Sequence, residues 1–260
     1  PGANRGIVHA HDEGILTAAS LMVTGDAFDE AVELARQRRS LATGLHLVLC
    51  DGAPAADPDR IPGLLDGTGR FVSDPARTGW ALWWNRATLR EQIAIEVEAQ
   101  CERLRQSGLR FDHIDGHHHL HMHPVVFGVV REAARRFGAG RIRLMHEDRL
   151  ARQPGDPLDA QLAAGAHALL SRLHSRSLGE AADDPVAADR VYGLRRSGRC
   201  DEHWWHWLLP RLRARRIEVY CHPDTDRAEG QRELAALCSP SVREAVDRAD
   251  FRRIGGGAAP

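Results

Sequence analysis

The sequence predicts an α/β fold built on a parallel sheet, either open or closed into a barrel. Short apolar segments alternate with longer amphipathic ones along the chain, as in folds of this class. Three of the short segments end in histidine, at His46, at His117 to His121 and at His222. Because active sites of α/β folds lie at the carboxyl ends of their strands, we expect these histidines to converge. A chain of 260 residues is long enough for one such domain.

Composition excludes several classes of function. The formal net charge of -1 and the pI near 7.1 predict no general attraction to nucleic acid or to anionic membranes. Five widely spaced cysteines without a CxxC pair favour a reduced, cytoplasmic setting. The sequence has no apolar run of about eighteen residues and no signal-peptide pattern, so we expect no transmembrane segment. Peripheral membrane contact and a homodimer remain open.

The first half of the chain begins with a helix, a strand, a second helix and a second strand. Their predicted limits are Asn4 to Glu13, Thr17 to Val23, Asp26 to Arg38 and Leu45 to Leu49. Residues 51–84 are rich in Gly, Pro and Asp and are interpreted as a long insertion with little regular structure. Its tryptophans, Trp80, Trp83 and Trp84, either line a substrate groove or form a lid packed on the core. A helix then follows from Thr88 to Gln106, with Thr88 and Glu91 as a capping box.

In the second half, helical spacing continues from about Pro124 to Phe137, and a strand is predicted from Arg141 to Met145. A second insertion, about 147–186, contains one helix. The remaining predicted elements are helices at Leu158 to Leu173, Asp201 to Arg215, Glu229 to Leu237 and Pro240 to Ala249, and a strand at Ile217 to Cys221. Ordinary packing is the favoured role of Trp204, Trp205 and Trp207. We therefore expect one domain over residues 1–254 and a disordered tail over 255–260.

The segment Phe111 to Pro124, FDHIDGHHHLHMHP, is the strongest functional signal. In an extended strand, alternate side chains share one face, which would carry four imidazoles and one carboxylate. These side chains are His113, Asp115, His117, His119 and His121. Imidazole and carboxylate suit Zn²⁺, Mn²⁺ or a mixed Mg²⁺ site, so the spacing predicts a metal site. The alternative is a polar loop that binds metal adventitiously.

The motifs GLHL at Gly44 to Leu47, DGHHHLHMHP at Asp115 to Pro124 and YCHP at Tyr220 to Pro223 together resemble the YdjC-like carbohydrate deacetylases. Two further stretches, NRGIVHAHDEGILTAASLMVTG and ADRVYGLRRSGRCDE, are most similar to the hopanoid-biosynthesis-associated branch of that family. The order and spacing of the motifs make the resemblance specific over nearly the whole chain.

The resemblance implies a variant (β/α) barrel of the glycoside hydrolase/deacetylase type that removes an N-acetyl group from an amino sugar. It also implies a divalent metal, usually Mg²⁺, held by His46 and His117, with His222 as acid or base. His119 and His121 would bind substrate or support the ligands, and Asp115 would act in catalysis, by orienting an imidazole or touching the metal. For the hopanoid branch, the implied substrate is a sugar-bearing hopanoid lipid.

The family pattern begins with a strand ending in Asp-Asp-Phe-Gly, upstream of the segment that matches Asn4 onward. We therefore expect a barrel that lacks its first strand and a metal site that lacks its usual carboxylates. Three explanations stay open: a truncated chain, substitution by a remaining carboxylate such as Asp115, or an inactive remnant.

Two other functions also stay open. A metal-dependent phosphoesterase uses similar strand-end histidines, and a non-catalytic sugar- or glycolipid-binding protein would use the tryptophans. The sequence contains no GxSxG elbow, Walker A loop or GxGxxG fingerprint.

Overall fold

The structure is a computed structural model, and it describes residues 1–148, 152–153, 156–178, 184–249 and 251–255. Its strands are β1 Ala18–Leu21, β2 Ala42–Leu47, β3 His113–Gly116, β4 Arg141–Ile142, β5 Arg190–Tyr192 and β6 Ile217–Val219. Its helices are α1 Gly2–Asp12, α2 Phe28–Arg36, α3 Pro75–Trp84, α4 Arg86–Gln106, α5 Pro124–Phe137, α6 Leu158–Ser175, α7 Glu202–Leu208, α8 Ala228–Cys238 and α9 Pro240–Arg248. Within these described ranges, no helix combines the length and the apolar character needed to cross a bilayer.

The strands are paired in parallel, as predicted. β1, β2, β3 and β4 form one sheet in that order, and β5 pairs with β6 in a second sheet. The backbone N–H of Val191 in β5 donates to the carbonyl of His146, just beyond β4, at 3.2 Å. The α/β fold with a parallel sheet is therefore confirmed, and the carboxyl ends of the strands in each sheet share one edge. Closure into a barrel stays a prediction.

The larger hydrophobic core holds the four-stranded sheet against α4 and α5. It includes strand and helix residues that are almost fully buried, among them Leu45, Ile114, Ile142, Ile93, Val97, Val126 and Val130. Each such side chain contributes about 1.5–3 kcal/mol when it is fully buried. Apolar residues on β2 and β3 therefore fix the strands whose ends carry His46 and Asp115.

A second core lies around α7, α8 and α9, and it contains Trp204 and Trp205 at 1% and 5% exposure. Trp207 is partly buried against the same cluster. The side chain of Asp201 caps α7 by accepting from the backbone N–H of Trp204 at 2.8 Å. The prediction that these tryptophans pack in the core is confirmed.

The prediction of little regular structure over residues 51–84 is wrong. α3 occupies Pro75–Trp84 because Asp74 caps it, accepting from the backbone N–H groups of Ala76 and Arg77, and because proline is favourable in the first helical turn. Two one-turn 3₁₀ helices precede α3, at Pro58–Arg60 and Pro62–Leu64.

Two predicted helix ends are also wrong. α4 begins at Arg86, so Thr88 lies inside the helix and donates from its hydroxyl to the carbonyl of Asn85 at 3.0 Å instead of forming a capping box. α7 ends at Leu208 and continues as a 3₁₀ turn, Leu209–Arg211, because Pro210 lacks the N–H that a longer helix needs.

β5, with three residues, was not predicted. The domain limits stay a prediction, and of the tail predicted over 255–260 only Gly255 is described.

Candidate active site

The ends of three neighbouring strands meet at Asp115. Asp115 in β3 lies directly beside His46 in β2, and the Nδ1–H of His46 donates to Asp115 Oδ1 at 2.7 Å. The hydroxyl of Ser20 in β1 donates to Asp115 Oδ2 at 2.8 Å. Because that hydroxyl proton is directed at Asp115, Ser20 Oγ accepts from His113 Nε2, 3.0 Å away. The carboxylate thus orients His46, whose Nε2 has no hydrogen bond to any described residue.

Asp115 also forms a buried ion pair with Arg143, which follows β4. Only 1% of the Asp115 side chain and 12% of the Arg143 side chain are exposed, and Arg143 Nε also donates to Glu218 Oε1 in β6 at 2.6 Å. Burial alone would raise the pKa of Asp115, but the charge of Arg143 and the donation from His46 hold it well below its usual range. Both carboxylate oxygens are therefore occupied by protein groups, and Asp115 is ionised.

The chain changes direction immediately after β3. Gly116 is extended, but the segment His117–Met122, which we call the histidine turn, is a 3₁₀ turn with φ of 50° at His118 and 57° at His119. These left-handed conformations are costly for residues other than glycine and break the alternation of side chains. The prediction of one histidine face from His113 to His121 is wrong for this reason.

The exit of the histidine turn is fixed by α5. The side chain of His123 caps this helix by accepting from the backbone N–H of Val125 at 3.3 Å, and Pro124 occupies its first position. The helix ends at Phe137 and is capped by Gly138 with φ of 77°, so its predicted limits are confirmed.

The histidine turn brings His117 close to other possible metal ligands. Its ring centroid lies 5.7 Å from that of His46, in an edge-to-face arrangement. In addition, ligand atoms of His117, His118 and Asp51 all lie within 4.8 Å of one another. In the part of the chain that the structure describes, this is the only group of three or more His, Cys, Asp or Glu residues with such spacing. Asp51 has a φ of 52°, another left-handed conformation.

His222 lies at the carboxyl end of β6, as predicted. Its backbone N–H donates to Glu233 Oε2 at 2.5 Å, and its ring centroid is 5.5 Å from that of Tyr220. Glu233 is fully buried and also accepts from the backbone N–H of Cys200 at 3.1 Å. Burial lowers the pKa of His222. The segment that carries His222 is thus held by a buried carboxylate on α8.

The two histidines predicted to bind substrate have different environments. His119 Nε2 lies 3.4 Å from the hydroxyl of Tyr220. His121 is fully buried, and its Nε2–H donates to the carbonyl of Arg143 at 2.8 Å. A Cβ atom on Gly116 would lie only 2.9 Å from His121 Nδ1, so that atom faces backbone. His121 supports the turn, whereas His119 faces Tyr220.

Burial keeps His117, His119 and His121 neutral. It lowers the pKa of His117 and of His121 to about 4 and holds the pKa of His119 well below its usual value. A neutral imidazole offers one lone pair and one N–H, so at neutral pH these side chains are able to bind a metal or accept a hydrogen bond.

Several residues near the site were not identified from the sequence as site residues: Ser20, Asp51, Arg143, His167, Glu218 and Glu233. A charged residue within a predicted apolar strand, as Arg143 is, signals a buried ion pair, but its partner is not apparent from one sequence. Tyr220 belongs to the YCHP motif, although no role was predicted for its side chain.

Fold and site together define an α/β protein with a histidine-rich centre at the carboxyl ends of parallel strands. The chain belongs to the YdjC-like protein family, whose sequence model matches residues 1–248. The predicted resemblance to that family is confirmed.

Relatives agree with this assignment. A carbohydrate deacetylase of Brevibacillus brevis is 39% identical over 136 residues, and one of Geobacillus stearothermophilus is 41% identical over 136 residues. Each match covers 52% of this chain and 51% of the relative, so the chain spans about half the length of the curated relatives it matches.

Among solved structures, a protein of Enterococcus faecalis V583, described as a candidate cellobiose-phosphate cleavage protein, has the same fold. Its TM-score is 0.74 at 22% identity, and the match covers 98% of this chain and 92% of that one. At this identity the likeness supports the fold alone.

Proposed function

We propose that this protein is a metal-dependent hydrolase that removes the N-acetyl group from an amino sugar. The observation that carries the proposal is the hydrogen bond from His46 to the buried Asp115, which leaves His46 Nε2 available next to His117. A carboxylate that fixes a histidine through its other ring nitrogen is the usual support of a metal ligand. The name of the relatives, carbohydrate deacetylase, supports the substrate class.

The donor set fits a divalent metal. His117 would hold it together with His46, whose ring centroid is 5.7 Å away, or with His118 and Asp51, whose ligand atoms lie within 4.8 Å of its own. Two imidazoles and one carboxylate suit Zn²⁺ or Mn²⁺ better than Mg²⁺, which prefers oxygen ligands. When bound, such a metal polarises the amide carbonyl and makes water more acidic.

Side chains of the protein would position His46 and transfer the proton. Asp115 and Arg143 hold His46 in position and do not touch substrate, since both carboxylate oxygens are engaged. His222 is neutral at rest, so it takes a proton from the attacking water and gives it to the leaving nitrogen. One residue thereby acts first as base and then as acid. The carbon–nitrogen bond breaks as the nitrogen is protonated, and the products are the free amine and acetic acid, which ionises in water to acetate.

The substrate proposal extends to a glycosylated hopanoid lipid, supported by the resemblance of Asn4 to Gly25 and of Ala188 to Glu202 to the hopanoid branch. A lipid substrate would bring the protein to the membrane surface from the cytoplasm. A homodimer belongs to the same proposal and is tested by the mass of the protein in solution.

Acetate release tests the function. The purified chain would be incubated with N-acetylglucosamine, an N-acetylated disaccharide and a glycosylated hopanoid, with Zn²⁺, Mn²⁺, Co²⁺, Mg²⁺ or EDTA. We expect metal-dependent release that His46→Ala and His117→Ala abolish, whereas His206→Ala on the exposed face of α7 is a matched control without effect. A chain extended upstream by an Asp-Asp-Phe-Gly segment is assayed in parallel, and release from that chain alone would show that its carboxylates are required. No acetate from either chain would refute the proposal.

One observation favours sugar binding without turnover as a second candidate. Trp80 and Trp84 on α3 are 69% and 78% exposed, and Trp80 and Trp83 line a groove of about 460 Å³ beside His123. Exposed indole rings are suited to stacking on sugar rings. Saturable sugar binding that Trp80→Ala abolishes, without acetate release under any condition, would support this candidate. The phosphoesterase alternative gains no support, because Arg143 is already paired with Asp115 and Glu218.

A further inference from the structure

Two buried histidine nitrogens without hydrogen-bond partners in the described chain belong to residues other than the proposed metal ligands. The Nδ1 atoms of His119 and His167 are buried, and neither has a hydrogen-bond partner among the described residues. The ring centroids of these two histidines are 5.2 Å apart, and that of Tyr220 is 5.6 Å from His119. An unpaired buried polar atom is costly, so two of them on neighbouring rings indicate a place that a ligand or water fills.

His167 reaches this place because α6 is fastened to the histidine turn and to the end of β4. Ser171 donates from its hydroxyl to the carbonyl of Met145 at 2.7 Å. His174 donates from Nε2 to the carbonyl of Met122 at 2.8 Å, and its ring stacks on Phe127 with centroids 3.8 Å apart. These anchors lie one and two turns after His167 on the same helix. The position of His167 is therefore fixed by the packing of α6.

The chemistry of the cluster matches a hydroxyl group. Two imidazoles and a phenol offer both donors and acceptors, and a sugar hydroxyl is also both donor and acceptor. A metal is a poorer match, because the described residues contain no other group of three metal-binding side chains with atoms within 4.8 Å besides Asp51, His117 and His118. His121 is not part of the cluster, since its Nδ1 faces Gly116.

We propose that His119, His167 and Tyr220 form a subsite that binds a hydroxyl group of the carbohydrate substrate. The inserted helix α6 would thereby contribute to substrate selection. The proposal rests on the proposed function for the identity of the ligand, but it concerns binding rather than hydrolysis. His167 is then a substrate-contacting residue that the motifs of the family do not include.

Sugar binding measured in the presence of EDTA tests this subsite without metal-dependent hydrolysis. Dissociation constants would be measured by calorimetry for N-acetylglucosamine and its 3-deoxy, 4-deoxy and 6-deoxy analogues. The variants are His167→Leu and His167→Asn, whose side chains have the same number of heavy atoms and the same branching. Asn keeps a polar atom near the position of Nδ1, whereas Leu does not. Leu169→Asn, on the exposed face of α6, is the control. A neutral hydrogen bond corresponds to roughly a 3- to 10-fold change in dissociation constant.

We expect His167→Leu to weaken binding of the parent sugar about 3- to 10-fold, and His167→Asn and Leu169→Asn to weaken it less than about 3-fold. One deoxy analogue should bind the unaltered protein more weakly by the same factor and show no further loss with His167→Leu. Equal losses for every sugar, unchanged binding by His167→Leu, or no binding by the unaltered protein would overturn the subsite. Acetate release by the unaltered protein, measured separately, decides the proposed function.

Discussion

The strand β3 and the histidine turn that follows it differ in what determines the direction of their side chains. From His113 to Gly116 the chain is paired with β2 on one side, and its first two residues are also paired with β4. From His117 to Met122 it is a 3₁₀ turn with two left-handed residues. Strand pairing determines which way each side chain points in the strand, whereas the local backbone determines it in the turn.

The strand and the turn also differ in how fully their polar atoms are bonded. Asp115, in the strand, has protein partners on both oxygens and is 1% exposed. In the turn, His118 is exposed, and the buried Nδ1 of His119 has no partner among the described residues. The Nδ1 of His121 also lacks a partner there, but it faces the backbone of Gly116. A saturated network stabilises the fold, while unsaturated groups are available to ligands. We therefore expect the change of Asp115 in the strand to affect stability, and changes of His117 and His119 in the turn to affect binding.

The largest expected effect follows from removing Asp115. In Asp115→Ala the buried guanidinium of Arg143 loses one of its two carboxylate partners in the described chain and keeps Glu218, and His46 and Ser20 lose their acceptor. Breaking a buried pair from one side costs about 3–5 kcal/mol, so the free energy of unfolding should fall by about that amount. Urea denaturation followed by circular dichroism measures it.

His118→Ala is the matched change in the turn. Because His118 is exposed, its removal should alter the free energy of unfolding by less than about 0.5 kcal/mol. If Asp115→Ala were as mild as His118→Ala, the division between a stabilising strand and a binding turn would be wrong.

The next effect concerns metal affinity within the turn itself. His117→Ala should weaken Zn²⁺ or Mn²⁺ binding by more than the roughly 10- to 100-fold that loss of an outer partner causes, while stability changes little. His121→Ala should do the reverse, lowering the free energy of unfolding by about 2 kcal/mol, because it removes a buried side chain and the bond to Arg143. Calorimetric titration with each metal and urea denaturation give the two values. Equal metal affinities for the two variants would count against His117 as a ligand.

The sequence predicted the fold best where several local signals point to the same element. The limits of a long periodic segment, about Pro124 to Phe137, agree with the structure, because amphipathic spacing and an initial proline point to the same helix there. The three residues of β5 carry too little periodicity to be recognised, and α3 was missed because glycine and proline in the surrounding stretch suggested a loop. Local composition was misleading where a single capping residue, Asp74, decided the structure.

For the site, the sequence predicted which strand ends carry the site residues, but not the backbone conformation that follows β3 or the residues that approach from distant segments. His46, Asp115 and His222 were predicted from their positions at strand ends, and alternation holds as far as Gly116. The left-handed residues His118 and His119 are not signalled by composition, since only a few per cent of residues other than glycine adopt this conformation. Arg143 and His167 come from distant segments, and only the folded chain shows that they approach Asp115 and His119.

The smallest effect tests the backbone of the turn directly. His118→Gly and His118→Ala differ only by a Cβ atom, and at a φ of 50° that atom is unfavourable. We expect the glycine variant to be more stable than the alanine variant by about 1 kcal/mol. The same pair at Arg141 in β4 should show the opposite sign, because glycine in a strand costs about 0.5–1 kcal/mol relative to alanine. Urea denaturation of the four variants gives both differences, and the same sign at both positions would mean that the turn at His118 is not left-handed in solution.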